Sequence, residues 1–476
     1  MGAQPIVVSA QGTQSLLPDL GDESSSVLSA REERKIGETA VNQLRSQGVV
    51  LNDPEVNAYL TDLVERLRVA SPEIKQKFEV FAVNDPGINA FALPGGYLGV
   101  NLGIIVLAQT ESELAGVLAH EMAHVTQSHI ARSLAGQQRA SWVSMAALAL
   151  AILAARSNGQ VAQAAVASAQ AYSIQSQLDY TREFEREADR IGFQMLEKSK
   201  LDPHAMATMF ERLQRATRAN DSALVPNYLR THPVTYERIA DAQARSANVN
   251  YRQPKESDDF HYVRALVRSY IGERADTRTY FEDQLKERKF NHESATRYGL
   301  VATLLQNKDF PGAKRELVQL EAMNPNHPMV EAMAGLVLQE SGDRPAALQR
   351  YASALLRYPS HKQLYVDYPD ALLKQGDAKA AVTFMETAIA KFPNDPTLFE
   401  IAAKANAKLG NKLQQHRYLG EAYARSGNLQ GAVEQFTLAT RAADGDFFQA
   451  SMVQARLGEV RAEMAELLRE RRTANR

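Results

Sequence analysis

The sequence has no cysteine among its 476 residues. This absence excludes disulfides, thiolate metal sites and cysteine nucleophiles, so any bound metal must be held by histidine, aspartate or glutamate. An oxidising compartment, in which a stray thiol is a hazard, is compatible with this composition, although cytosolic proteins can also lack cysteine.

Long apolar runs and an excess of basic charge are missing too. The longest apolar run, residues 142–155, has 14 residues and is interrupted by Ser144, whereas about 20 residues are needed to cross a bilayer. We therefore expect no transmembrane span. The 54 basic and 56 acidic residues give a net charge of −2, which argues against nucleic acid as a partner because nucleic acid requires a basic face.

Basic residues are also missing from the start of the chain, where the first positive side chain is Arg31. A secretory signal needs basic residues followed by an apolar core, so we interpret the chain as a mature form lacking its signal peptide, or as a cytosolic protein. Residues 1–30 are polar without periodic apolar positions, which predicts a disordered tail.

The next residues alternate between helix and strand signals. Helical periodicity begins near Arg31, and a second helix is predicted from Pro54 until just before Ser71. Residues 78–83 are β-branched and aromatic, which is typical of a strand. Residues 89–100 are broken by Pro-Gly-Gly and then resume, which predicts a hairpin.

The hairpin gives two interpretations. An exposed edge could pair with an extended peptide substrate, whereas an ordinary hairpin would have no such role. The substrate-edge candidates are Asn89, Phe91, Gly95 and Gly96.

The metal motif is His120-Glu121-Met122-Ala123-His124, an H-E-x-x-H sequence. It lies within residues 111 to about 133, which we predict to form one helix. Residues i and i+4 lie on one helix face, so both imidazoles can reach one ion while Glu121 addresses a water. The motif predicts a zinc peptidase with Glu121 as the catalytic base; the alternative is a structural pair of surface histidines.

A catalytic zinc site normally has three protein ligands, and the third is not given by the motif. His129 lies nine residues after His120, about half a turn out of phase on a continuous helix, so we expect it to point away. A second helix, residues 179–198, offers two acidic pairs. The pairs are Glu185 with Asp189, and Glu183 with Glu187. Periodicity does not choose between them, and it also allows a solvated acidic helix that binds no metal.

The second half of the chain repeats with a period of 34 residues. This period is the tetratricopeptide signature, in which small residues allow close helix packing; an irregular α-rich domain is the alternative. Leu419-Gly420 begins a further unit in a new phase. Three series share the period: Pro325, Pro359 and Pro393; Ala313, Ala347 and Ala381; Gly342, Gly376 and Gly410.

These patterns predict an α-rich α+β protein with three parts. The parts are a disordered tail (1–30), a zinc metallopeptidase domain with a small β-sheet (31–250) and an all-α tetratricopeptide-repeat solenoid (256–476). Residues 136–175, between the second and third ligands, are expected to form a loop and helix beside the cleft. Their apolar run could plug the site, touch membrane or an unfolded client, or form a simple core helix.

Four segments together resemble the zinc peptidases typified by the CAAX prenyl protease and HtpX. They are VLAHEMAHVTQSH, EREAD, NAFALPGG and Thr231-His232-Pro233. The repeats and the expected absence of membrane spans narrow the resemblance to the periplasmic BepA type, over essentially the whole chain after about residue 30.

The resemblance implies an H-E-x-x-H gluzincin with one Zn²⁺ per chain. It implies that Glu185 is the third ligand beside His120 and His124, and that Asp189 orients a ligand histidine. It also implies that His232 can occupy the fourth zinc position and hold the enzyme latent.

By the same resemblance, the function is quality control and assembly of outer-membrane β-barrel proteins in the periplasm. The implied partners are misfolded or stalled barrel proteins and, through the repeats, the barrel assembly machinery. Two alternatives stay open: a chaperone or adaptor with little protease activity, and a cytosolic peptidase.

Overall fold

The computed structural model describes residues 29–135, 182–219, 227–247, 249, 254, 256–323 and 326–474. Residues 1–28 of the predicted tail, the predicted segment 136–175 and Pro325 lie outside the described residues. None of the described helices is both long and apolar enough to span a bilayer.

The first half of the chain packs helices around a small sheet. Its elements are α1 (Ala30–Ser46), α2 (Pro54–Val69), β1 (Glu79–Val83), β2 (Ala90–Leu93), β3 (Tyr97–Asn101), α3 (Leu102–Leu107), α4 (Glu111–Thr126), α5 (His129–Ala135), α6 (Arg182–Lys198), α7 (His204–Ala219), α8 (Asn227–Thr231) and α9 (Tyr236–Ser246).

The second half is entirely helical where it is described. Its elements are α10 (Asp258–Tyr270), α11 (Arg274–Glu287), α12 (Glu293–Gln306), α13 (Phe310–Met323), α14 (Pro328–Glu340), α15 (Arg344–Arg357), α16 (Leu364–Gln375), α17 (Ala378–Lys391), α18 (Pro396–Leu409), α19 (Lys412–Arg425), α20 (Leu429–Arg441) and α21 (Phe447–Ala474).

The first two helices begin where the sequence predicts. Ser29 and Glu32 form a capping box at α1, and Asp53 accepts a hydrogen bond from the Val56 amide at α2. Each cap satisfies amide donors that the first helical turn leaves without an intrahelical partner. The predicted α-rich architecture with a small sheet is confirmed.

The sheet has the strand order β1-β3-β2. Strand β1 pairs parallel with β3, and β2 pairs antiparallel with β3 through the predicted hairpin. Strand β2 therefore forms one edge of the sheet. Asn101 N donates to Asn89 O, so the antiparallel alternation directs the backbone N–H and C=O groups of Ala90 and Ala92 toward this edge, which pairs with no described strand.

The apolar core does not stop at the end of the peptidase part. One cluster of buried side chains runs from Val56 through α4 and α6 into the repeats, as far as Val337. A smaller cluster lies between α1 and the other face of the sheet. Polar contacts also join the two halves, with Glu55 Oε1 2.8 Å from His361 Nε2 and Asn52 donating to Thr397. The repeats are thus seated on the first half of the chain.

The repeats have the predicted tetratricopeptide arrangement, in which each helix packs against the next. Ala313, Ala347 and Ala381 are fully buried, as close helix packing requires. The three period-34 glycines have φ between 78° and 98°, a left-handed conformation that is costly for residues with a Cβ. They end the first helix of a pair and allow the chain to reverse.

Candidate metal centre

Helix α4 carries the H-E-x-x-H motif in the interior of the protein. Thr110 caps it by accepting from the Glu113 amide, and every residue from 111 to 124 is buried. His120, Glu121 and His124 are each at most 1% exposed. The motif is therefore shielded from bulk water by the elements around it.

The predicted single helix over residues 111 to about 133 is wrong, because α4 ends at Thr126 and α5 begins at His129. Between them Ser128 has φ of 51°, which turns the chain. The expectation that His129 points away is wrong for the same reason. Its side chain is fully buried, and its Nδ1 lies 2.9 Å from His124 Nδ1.

Helix α6 supplies the acidic side chains that face α4. Glu185 and Asp189 are buried, Glu187 is half-buried and Glu183 is exposed, so the first of the two predicted pairs faces the histidines. The helices approach closely because position 192 is glycine. A Cβ there would lie 3.1 Å from the backbone nitrogen of His120.

Four side chains converge between α4, α6 and the turn after α8: His120, His124, Glu185 and His232. One nitrogen or carboxylate oxygen from each lies within 4.8 Å of the others. His120 Nε2 is 3.0 Å from His124 Nε2, and His232 Nδ1 is 2.9 Å from Glu185 Oε1. In the described part of the chain, this is the one such group that could hold a metal ion.

The donor set fits a metal ion such as zinc, which takes four imidazole, thiolate or carboxylate ligands. The two carboxylate oxygens of Glu121 also indicate a binding site. Both are buried, and neither accepts a hydrogen bond from the described residues. A buried carboxylate is costly without a partner, so Glu121 is arranged to interact with a bound species, such as water, beside the cluster.

The electrostatics of the cluster favour a cation. Burial lowers the pKa of His120, but Glu185 and Asp189 outweigh burial and raise this pKa to about 10. Burial would raise the pKa of Glu185, yet His232 and His120 hold it well below the usual value. Burial lowers the pKa of His124. With a pKa of about 10, His120 carries a proton at neutral pH when no metal is bound.

We expect metal binding to release about one proton per ion at pH 8, because a ligand imidazole must be deprotonated and the pKa of His120 is about 10. Protons compete below this pKa, so affinity should rise with pH, by up to about tenfold per unit, and level off near pH 10. Calorimetric titration in buffers of different ionisation enthalpy measures the proton count. Binding without proton release would contradict this charge assignment.

Arg238 in α9 contacts the acidic side chains of α6, although no sequence motif marks this residue. Its Nε and Nη2 each lie 2.8 Å from a different oxygen of Asp189, and its Nη1 lies 2.7 Å from Glu185 Oε2. Asp189 Oδ1 in turn lies 2.9 Å from His120 Nδ1. Arg238 outweighs burial and lowers the pKa of Asp189, so the orienting carboxylate is ionised.

His232 is placed by the short helix α8. Tyr228 N donates to Ile88 O, which fixes α8 beside the start of β2, and His232 N donates to Tyr228 O at 2.7 Å. His232 Nε2 lies 3.5 Å from Glu121 Oε1. The same imidazole thus approaches both a candidate ligand and the candidate base.

Two of the substrate-edge candidates, Gly95 and Gly96, shape the hairpin turn. Gly95 and Gly96 are buried in the hairpin turn, where a Cβ on Gly95 would meet Arg34 Cα of α1 at 2.4 Å. Phe91 packs edge-on against Phe81, on the face covered by α1. The outer edge of β2 pairs with no described strand; there Ala92 is half-buried and Ala90 is fully buried.

The fold and the geometry define an H-E-x-x-H metallopeptidase joined to tetratricopeptide repeats. The chain matches Peptidase family M48 over residues 51–246 and the Tetratricopeptide repeat over residues 332–396.

Among similar proteins, the putative beta-barrel assembly-enhancing protease of Vibrio cholerae is 34% identical over 435 residues, which cover 91% of this chain and 89% of that protein. The beta-barrel assembly-enhancing protease of Escherichia coli K12 is 29% identical over 447 residues, covering 94% and 91%. The mitochondrial metalloendopeptidase OMA1 of Schizosaccharomyces pombe is 29% identical over 212 residues, covering 44% and 59%. The chain belongs to peptidase family M48, in the group of beta-barrel assembly-enhancing proteases, which confirms the predicted family and metallopeptidase class.

Proposed function

We propose that this protein is a periplasmic zinc endopeptidase that cuts misfolded or stalled outer-membrane β-barrel proteins. The observation that carries the proposal is the convergence of His120, His124 and Glu185 beside the buried Glu121. One Zn²⁺ per chain would be held by the first three. Zinc supplies Lewis-acid polarisation of the scissile carbonyl and lowers the pKa of a water to about 7.

The side chains of this protein would supply proton transfer and the orientation of the ligands. Glu121 takes a proton from the attacking water and passes it to the leaving amine. Asp189, held by Arg238, fixes the orientation of His120 through the 2.9 Å contact at Nδ1. The burial of all these groups excludes bulk water, which strengthens each charge interaction in the site.

The free edge of β2 is the proposed place for the substrate backbone. The outward N–H and C=O groups of the half-buried Ala92 can pair with an extended peptide, as an added strand, whereas those of Ala90 are covered. Unfolded barrel proteins consist of segments with strand character, which suits this mode of binding. Asn89 and Phe91 then border the added strand, whereas Gly95 and Gly96 shape the turn.

His232 is the proposed regulatory ligand. Its Nδ1 lies 3.3 Å from His120 Nε2 and 2.9 Å from Glu185 Oε1, so it can take the fourth position that the attacking water needs. Activity then requires the turn after α8 to move. This proposal makes low activity of the wild-type protein an expected result.

We expect His232→Ala to raise the rate of cleavage. If the uncapped state is populated at about 0.1 to 10%, the gain is roughly 10- to 1000-fold, because removing the imidazole leaves the fourth position open. The measurement is hydrolysis of a denatured barrel protein at equal zinc content. A matched control is His416→Ala in the repeats, where we expect no change.

A chaperone or adaptor is the second candidate function, favoured by the same closeness of His232 to the cluster. Zinc-loaded His232→Ala protein that cuts no unfolded protein would support this alternative and contradict the protease proposal. The repeats would then carry the function by docking on the barrel assembly machinery, which both candidates share. The relatives of Vibrio cholerae and Escherichia coli are named for β-barrel assembly, which supports this partner.

The proposed location is the periplasm. The absence of cysteine suits an oxidising compartment. The proposed organisation is a tail over 1–30, a peptidase domain over 31–250 and a repeat domain over 256–476. Cell fractionation tests the location, and recovery in the cytosolic fraction would contradict it.

A further inference from the structure

We infer that His129 is the positioning residue of His124: it accepts the Nδ1 proton of His124 and donates its own Nε2 proton to Glu187. The inference rests on the proposed metal site and adds a residue to it. A metal-binding histidine is normally oriented by a partner at its other ring nitrogen, and that partner fixes the tautomer.

The two histidines of the motif present the same nitrogen to the cluster. His120 and His124 face each other through their Nε2 atoms at 3.0 Å, so their Nδ1 atoms face outward. His120 has its partner in Asp189, 2.9 Å from Nδ1. His124 Nδ1 instead lies 2.9 Å from His129 Nδ1. The two ligands therefore have orienting partners of different chemical type.

Only one placement of the ring protons on His124 and His129 is compatible with metal binding by His124. His124 must be neutral with its Nε2 lone pair free for a metal, so its proton is on Nδ1. His129 Nδ1 must accept this proton, which places the proton of a neutral His129 on Nε2. That nitrogen lies 3.0 Å from Glu187 Oε2, an acceptor that matches the assignment.

The surroundings hold the His129 ring in this orientation. The ring stacks on Phe184 with centroids 4.5 Å apart and planes at 12°. Arg132 covers the Phe184 ring at 4.6 Å, and its Nη1 donates to Glu187 Oε2 at 2.9 Å. Phe184 of α6 thus covers one face of the imidazole, and the His129 side chain is fully buried.

Helix α6 therefore orients both motif histidines: Asp189 contacts His120 directly, and Glu187 contacts His129, which contacts His124. Asp189 supports His120 with a negative charge, whereas His129 supports His124 with a neutral acceptor. A neutral partner raises the basicity of a ligand less than a carboxylate does. We therefore assign His129 the role of fixing the tautomer and the ring orientation of His124, with the charge of Glu187 one residue further away.

The test uses His129→Phe and His129→Asn. Phenylalanine keeps a ring against Phe184 but has no acceptor, so zinc affinity in a chelator competition should fall by about 10- to 100-fold. Asparagine places an amide oxygen near the position of Nδ1, and we expect it to restore affinity to within about threefold of wild type. His416→Phe in the repeats is the matched control and should leave affinity unchanged.

Two results would overturn the inference: His129→Phe that binds zinc as tightly as wild type, or His129→Asn that binds as weakly as His129→Phe. If His129→Phe fails to fold, nitrogen-15 NMR of the zinc-loaded wild-type protein shows which ring nitrogen of His129 carries the proton. We expect His129 protonated at Nε2 only, and protonation at Nδ1 would overturn the inference. Failure of wild-type protein to bind zinc would instead remove the metal site itself, together with this addition.

Discussion

Glu121→Gln should abolish peptide cleavage while leaving metal binding intact. Glutamine has the same shape but cannot take a proton from water, and loss of a general base costs roughly 10² to 10⁴ in rate. No described residue donates a hydrogen bond to either Glu121 oxygen, so the substitution removes no such bond. We expect the folded state to be at least as stable as in the wild type.

This prediction is measured best in the His232→Ala background, where the starting activity is higher. Zinc content is determined on the same samples, so that loss of metal is separated from loss of the base. Glu197→Gln is the matched control, since Glu197 is exposed on α6 and should leave cleavage unchanged. Turnover retained by Glu121→Gln would rule out Glu121 as the base.

Arg238→Met should be the most destabilising single change near the site. The guanidinium is 6% exposed and pairs with two carboxylates that are themselves buried. Removing one member of a buried ion pair leaves an uncompensated charge and costs about 3 to 5 kcal/mol. Zinc affinity should fall as well, because Asp189 and Glu185 lose the group that holds them in place.

Denaturant unfolding of the metal-free protein measures the stability change. Arg245→Met on the same helix is the control, because the side chains of the Arg245–Asp241 pair are 33% and 43% exposed and exposed pairs contribute about 0 to 1 kcal/mol. Equal stability of the two variants would show that Arg238 does not hold the acidic side chains of α6. Adding Asp189→Asn to Arg238→Met should recover part of the loss.

The features that the sequence predicts well are local or periodic. The cap at Asp53 and the proline at Pro54 act within one helical turn, and the period of 34 residues repeats a single packing solution. The H-E-x-x-H spacing brings two imidazoles to one helix face wherever the helix lies. These parts of the fold and site can be predicted from nearby residues alone.

The remaining features depend on contacts between distant segments. Ser128 adopts a left-handed conformation without being glycine, so no residue signal marks the end of α4, and the position of His129 was predicted wrongly. Arg238 meets Asp189 across 49 residues, and its own neighbours give no metal signal. Residue periodicity alone left two acidic pairs open on α6; the close approach at Gly192 decides which pair faces α4.

The most direct test of the proposed enzyme is cleavage of a denatured outer-membrane β-barrel protein by the zinc-loaded His232→Ala variant. We expect cleavage that stops when a chelator removes the metal and resumes when one equivalent of zinc is restored. Cleavage that continues at the same rate in the presence of chelator, with zinc shown to be absent, would contradict a zinc peptidase built on His120, His124 and Glu185.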